Sequence, residues 1–121
     1  MARVIHFEIP SDDPEKSLEF YQKVFGWQTY QWNNEPYWLC STGEQSKPGI
    51  NGAIMKRRTP EQPVVNTIDV EDIDQAIKTI EANGGVIVAP KMAVPGIGRL
   101  VYFKDPDGNI MGALQEDKNA K

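Results

Sequence analysis

Asp13-Pro14-Glu15-Lys16-Ser17-Leu18-Glu19-Phe20-Tyr21 opens a segment that ends at Val24-Phe25-Gly26, and Asp72-Ile73-Asp74-Gln75-Ala76-Ile77 opens a second that ends at Gly84-Gly85. Each starts with an aspartate whose carboxylate can accept from the N–H groups of a first helical turn. Pro14 suits the first helical position, where its missing N–H has no partner to lose. Leu18, Tyr21, Val24 and Phe25 recur on one helical face, and Ile73, Ala76, Ile77 and Ile80 on another. Gly26 and Gly84-Gly85 stop the two helices, because glycine takes the left-handed conformation at little cost. Gln75, three residues after Asp72, predicts a capping box.

Outward from these helices the pattern repeats. A strand-like stretch at about 3–9 precedes the first helix, and strands near 27–32, 36–42 and 50–56 follow it. They are broken at Asn33-Asn34-Glu35-Pro36 and from Gly43 to Gly49. The second helix is preceded by 64–70 and followed by 86–94, 99–104 and 109–115. Asp105-Pro106-Asp107-Gly108 is a turn signal, with proline setting φ and glycine accepting a positive φ. Asp13 and Asp72, Leu18 and Ile77, Gly26 and Gly85, and Gly49 and Gly108 are all 59 residues apart. The reading is α+β: two tandem βαβββ modules, about 3–58 and 62–116, within one domain spanning 1–121. Each helix covers one face of its sheet. The other faces are expected to curve around a shared cavity suited to a small molecule.

The chain has 121 residues, 40% hydrophobic and 25% charged, enough to bury a core without disulfides. Net charge is −4 and the sequence pI about 5.0. The only tight basic group is Lys56-Arg57-Arg58, expected to be a solvated strand end. Without a basic stripe the chain is a poor nucleic-acid binder. No apolar run is long enough for a membrane helix. The first residues lack the pattern of a signal peptide, so a cytoplasmic location is expected. Cys40, the single cysteine, agrees with a reducing compartment.

Three stretches in order carry a family resemblance: Val4-Ile5-His6-Phe7-Glu8-Ile9; Asp13-Pro14 with Ser17 to Tyr21 and Val24-Phe25-Gly26-Trp27; and Asp105-Pro106-Asp107-Gly108-Asn109. From about Val4 to Gln115 the chain resembles the vicinal oxygen chelate superfamily, the glyoxalase, bleomycin-resistance and extradiol dioxygenase group. It is most similar to the glyoxalase-like branch. The resemblance implies a small-molecule ligand, a homodimer and, in metal-dependent members, one divalent ion held by the first and last strands of both modules. The first ligand position falls on His6. Its repeat is Val65, the fourth position falls on Gly112, and the remaining one on Ala53 or Gly52. Only His6 has a ligating side chain, whereas stable sites use three or four. The expectation is no metal and no other cofactor.

His6 is the best candidate for proton transfer, since its unperturbed pKa lies near neutrality. Val4, His6 and Glu8 should face away from the helix, with Ile5, Phe7 and Ile9 toward it. The expected ligand-binding set is His6, Glu8, Trp38, Thr67, Arg99 and Tyr102. Trp32, Tyr37 and Trp38 can stack on a planar ligand or cover the sheet. Arg99 can pair with a carboxylate. Pro95-Gly96-Ile97-Gly98 reads as a flap over the cavity. Cys40 alternates with Trp38 and reads as a small buried hydrophobe. The first functional expectation is a metal-independent small-molecule binder, catalytic or ligand-sequestering. The alternatives are a metal-dependent lyase, isomerase or dioxygenase of glyoxalase type, and a non-catalytic module acting through its dimer surface, with Trp27 and Trp32 buried there.

Overall fold

The computed structural model describes residues 2–121. Its elements are β1 (Val4–Ser11), α1 (Pro14–Phe25), β2 (Gln28–Gln31), β3 (Tyr37–Ser41), β4 (Gly52–Lys56), β5 (Val65–Asp69), α2 (Ile73–Ala82), β6 (Val86–Val94), β7 (Gly98–Lys104) and β8 (Ile110–Glu116). This is the α+β class with βαβββ occurring twice. The chain divides into two units. One is residues 6–64, and the other is residues 65–121 with the first residues of the chain.

In the first unit the strands run β2-β3-β4-β1, with β1 parallel to β4 and the other pairs antiparallel. In the second they run β6-β7-β8-β5, with β5 parallel to β8. The registers repeat as well. Glu8 lies opposite Ala53, and Thr67 opposite Gly112. Both pairs are related by the 59-residue offset of the sequence. The ladder therefore makes Ala53, not Gly52, the counterpart of Gly112.

The helix ends follow their local chemistry. The Asp13 carboxylate accepts from the Lys16 N–H at 3.3 Å, and Asp72 from the Gln75 N–H at 3.1 Å. Gly26 closes α1 at φ 75°. The capping box is only half made: the Gln75 side chain runs forward to Thr79 Oγ1 at 3.3 Å. At the Asp105 turn, the Asp105 carboxylate accepts from the N–H groups of Asp107 and Asn109, both at 2.9 Å.

Each unit has its own core between helix and sheet. Leu18, Cys40 and Ile54 form one, with Ile9, Tyr21, Trp27 and Trp38 packed against it. Ile73, Val101 and Ala113 form the other, with Val70, Ile77, Ile87 and Phe103. Ile54 and Val101 are fully buried, each contributing about 1.5–3 kcal/mol over an exposed side chain.

The Pro95–Gly98 segment differs from the expected flap. It is the tight turn of the β6–β7 hairpin, with the Ile97 N–H donating to the Val94 carbonyl at 2.9 Å. The chain end fastens it: Gly96 donates to the Ala120 carbonyl at 3.0 Å, and Asp117 to the Ile97 carbonyl at 2.8 Å. Nor is the basic group wholly solvated. Arg57 donates to the Asp12 carboxylate at 3.0 Å and to the carbonyls of Gln62 and Pro10 at 2.5 and 3.2 Å. It ties the end of β1 to the segment after β4. Among the described residues, no helix is long and apolar enough to cross a membrane.

Candidate functional site

Strand alternation sends Phe7, Ile9, Gly52, Ile54, Trp38 and Cys40 toward α1. Phe7 packs on Trp27 with ring centroids 5.5 Å apart, while Ile9 and Trp38 join the Leu18 core. His6, Glu8, Tyr37 and Ala53 therefore share the opposite face. His6 and Glu8 are two residues apart on one strand, about 6–7 Å. The Tyr37 hydroxyl bridges that gap: it donates to Glu8 Oε2 at 2.8 Å and lies 2.9 Å from His6 Nε2.

This arrangement fixes the imidazole tautomer. A phenol has one proton, and Tyr37 gives it to Glu8. The His6 contact is then made by Nε2–H donating to the Tyr37 oxygen, and Nδ1 keeps its lone pair. Nδ1 makes no hydrogen bond among the described residues. No fully buried side-chain nitrogen or oxygen among them lacks a partner, so Nδ1 is not completely sealed from solvent. Burial pushes the imidazole pKa below its ordinary 6.5, against the opposing charge of Glu8. Neutral His6 is thus favoured near pH 7, with Nε2 anchored on Tyr37 and Nδ1 without a partner among the described residues.

Because the folded pKa lies below the unfolded one, neutral His6 adds stability that is complete above pH 6.5 and lost as pH falls toward the folded value. Thermal melts of the wild type and His6→Gln between pH 7.5 and 5 test this. The wild-type curve should fall more steeply below 6.5; parallel curves would exclude His6 as the cause.

The other expected site residues lie as follows. Trp38 faces α1, so it is not on the His6 face. Thr67 is buried on the face of its sheet opposite α2. Tyr102 shares that face, since both register with Gly112. Arg99 alternates with Val101 and so lies on the α2 side, where it pairs with Asp117 at 3.2 Å. Cys40 is buried, its thiol pushed up to about 11 by desolvation, and is no nucleophile at neutral pH. The residue that sequence reasoning left out of the site is Tyr37. Its signal was present: Cys40 reads as core, Trp38 must share its face, and Tyr37 must point the other way.

The positions that hold an ion elsewhere in such folds do not fit one here. Ala53 and Val65 are buried and carry no donor. A Cβ added at Gly112 would lie 2.9 Å from Thr67 Oγ1, so a Thr67 hydroxyl already fills the space a ligand side chain there would need. Among the described residues no cluster of three or more His, Cys, Asp or Glu side chains is suited to a metal.

Two βαβββ units with a polar, histidine-bearing face opposite a helix define the class. The chain belongs to the Glyoxalase/Bleomycin resistance protein/Dioxygenase superfamily, whose family model matches residues 3–111. The CFP32 protein of Mycobacterium bovis, named as a glyoxylase, is 28% identical over 121 residues, covering 93% of this chain and 45% of the relative. The chain thus spans under half the length of that relative. A Vibrio cholerae protein named as a lactoylglutathione lyase is 25% identical over 124 residues, covering 93% of this chain and 90% of the relative. Among solved structures, a superfamily member from Vibrio splendidus aligns with a TM-score of 0.67 at 19% identity, covering 96% of this chain and all of that one. That likeness is one of fold.

Proposed function

We propose that this chain is a small-molecule-binding member of the superfamily that works without a bound divalent ion, with His6 Nδ1 as the proton acceptor for a small carbonyl compound. One observation carries the reading: Tyr37 links Glu8 to His6 Nε2 in one hydrogen-bonded chain, which fixes the tautomer that leaves the Nδ1 lone pair without a partner among the described residues. A general base needs such a group, with a pKa close to the working pH. The names of the Mycobacterium and Vibrio relatives support a carbonyl ligand, since they concern glyoxalase-type compounds. The donor-poor positions Ala53, Val65 and Gly112 favour a metal-free protein. Ligand contact at Thr67 and Tyr102, on the face of their own module opposite α2, remains part of this proposal. So does a homodimer.

Two measurements test it together. Elemental mass spectrometry, after exposure to nickel, zinc, manganese or iron and desalting, should find far less than one ion per chain. A thermal-shift screen of small carbonyl and aromatic compounds should yield a saturable binder that His6→Ala weakens at least tenfold, about 1.4 kcal/mol. One ion per chain, lost in His6→Ala, would move the protein to the metal-dependent lyases or dioxygenases. Binding indifferent to His6 would remove the proton-acceptor role.

A further inference from the structure

Where β1 and β4 end, the basic group of the sequence encloses a space. Asp12, Lys56, Arg57, Arg58, Thr59 and Pro60 line an open pocket of about 370 Å³, within the range of small-molecule sites. Hydrogen bonds fix its frame. The Arg57 side chain, 27% exposed, donates to the Asp12 carboxylate and to the carbonyls of Gln62 and Pro10. Lys56 Nζ donates to the Asp12 carbonyl at 2.6 Å. The Gln62 N–H closes a turn around Pro60 by donating to the Thr59 carbonyl at 3.1 Å, and its side-chain oxygen accepts from the Arg58 N–H at 2.7 Å. A frame held in this way is in place before a ligand arrives, which lowers the ordering cost of binding.

The charges and donors around the pocket say what it can hold. Three of the lining side chains are cations and one is an anion, a surplus of two positive charges in a chain of net charge −4. The acidic neighbours in sequence, Asp13 and Glu61, do not line it, and the Asp13 carboxylate is engaged by the Lys16 N–H. Such a local positive field draws small anions. Donors are also left over. A guanidinium has five N–H groups, of which Arg57 commits three, and an ammonium three, of which Lys56 commits one. Among the described residues the Arg58 guanidinium and the Thr59 hydroxyl have no hydrogen-bond or ion-pair partner, and both residues are exposed. The lining thus has more donors than acceptors and cations that repel one another.

We propose that this pocket binds a phosphoryl group, with Lys56 and Arg58 as its charged contacts and Thr59 as a hydroxyl donor. A phosphoryl group carries close to two negative charges near neutrality and has three acceptor oxygens, which matches the surplus of charge and donors. A monocarboxylate would cancel only half of that charge. The planar guanidinium fork suits phosphate oxygens in particular. The site lies apart from the His6 face: Ser11, the last residue of β1, is five residues beyond His6, about 16 Å along the strand. It goes beyond the proton-acceptor reading and does not depend on it.

A nuclear magnetic resonance titration of the full chain at low ionic strength is the test, with inorganic phosphate and phenyl phosphate as probes and acetate at matched ionic strength as the control. The backbone amides from Lys56 to Thr59 should shift saturably with a phosphate probe and not with acetate. Tighter binding of phenyl phosphate would assign the site to a phosphate ester, and equal or weaker binding to free phosphate. Arg58→Gln should weaken binding about tenfold, the loss expected of one charge-assisted hydrogen bond. Lys56→Gln should weaken it as well. Both side chains are exposed, so thermal melts should stay close to wild type. His6→Ala should leave the titration unchanged, so that this site stands or falls apart from the reading of His6. No saturable shift up to millimolar phosphate would overturn the proposal, as would equal shifts with acetate. So would binding that survives both Arg58→Gln and Lys56→Gln, or that is lost in His6→Ala, since either places the anion elsewhere.

Discussion

Gly52→Ala is expected to destabilise the protein by about 3 kcal/mol and to lower its melting midpoint by roughly 10 °C. Gly52 sits in β4 opposite Phe7 of β1. A Cβ there would lie 2.5 Å from Phe7 Cδ1, Cγ and carbonyl oxygen. The oxygen belongs to the parallel ladder and cannot retreat without parting the strands. The ring is held against Trp27 at 5.5 Å and has little room to turn. Overlap with both a fixed backbone atom and a packed ring places the cost at the upper end of overpacking. The control is Gly43→Ala, where an added Cβ meets nothing within 4 Å. Its stability should stay within about 0.5 kcal/mol of wild type. Denaturant melts of the three proteins decide the matter. If Gly52→Ala melts with Gly43→Ala, β1 and β4 do not approach as closely as their register requires.

Such local chemistry explains how much of the fold could be read from the chain. Asp13, Pro14, Gly26 and Asp72 act within one helical turn of themselves, so their effect is legible without knowing the fold. The 59-residue repeat extended that reading to whole modules, and the strand ladders obey the same offset at Glu8–Ala53 and Thr67–Gly112. The capping box at Asp72 was only half right. Gln75 has two partners within reach, and Thr79 on its own helix took it. Pro95–Gly98 suggested a flap because nothing local shows that a chain end 20 or so residues later will hydrogen-bond to it. The site was legible in part. The face of His6 and Glu8 followed from alternation in one strand. Their link to Tyr37, 31 residues beyond His6, depends on β3 pairing with β4 and β4 with β1, a long-range register that composition and periodicity do not encode. Trp38 drew attention as the larger ring, yet its parity with buried Cys40 sends it to the core.

Tyr37→Phe and His6→Ala should produce losses that do not add, and this follows from how the proton chain is built. With methylglyoxal and a thiol as the probe, removing His6 should slow any exchange of the acidic carbon proton with solvent by about 10²–10⁴-fold, the usual span for a general base. In the proposed reaction Tyr37 acts through His6 as an orienting group. Without its hydroxyl, His6 Nε2–H loses its acceptor and Glu8 one of its hydrogen-bond donors. The ring is then free to place its proton on either nitrogen, so Nδ1 is no longer held as the base. Losing an orienting partner of this kind costs about 10–100-fold where it has been measured on other histidines. In the double variant no imidazole is left to orient, so its rate should equal that of His6→Ala alone. Multiplicative effects would mean that Tyr37 meets the ligand by itself. Glu8→Gln separates the chain further. An amide can also accept from Tyr37, so tautomer control should persist, while the charge that opposes burial is gone and His6 should fall further below 6.5. The acid limb of the pH–rate profile should move to lower pH in that variant, and a profile that stays in place would detach Glu8 from His6.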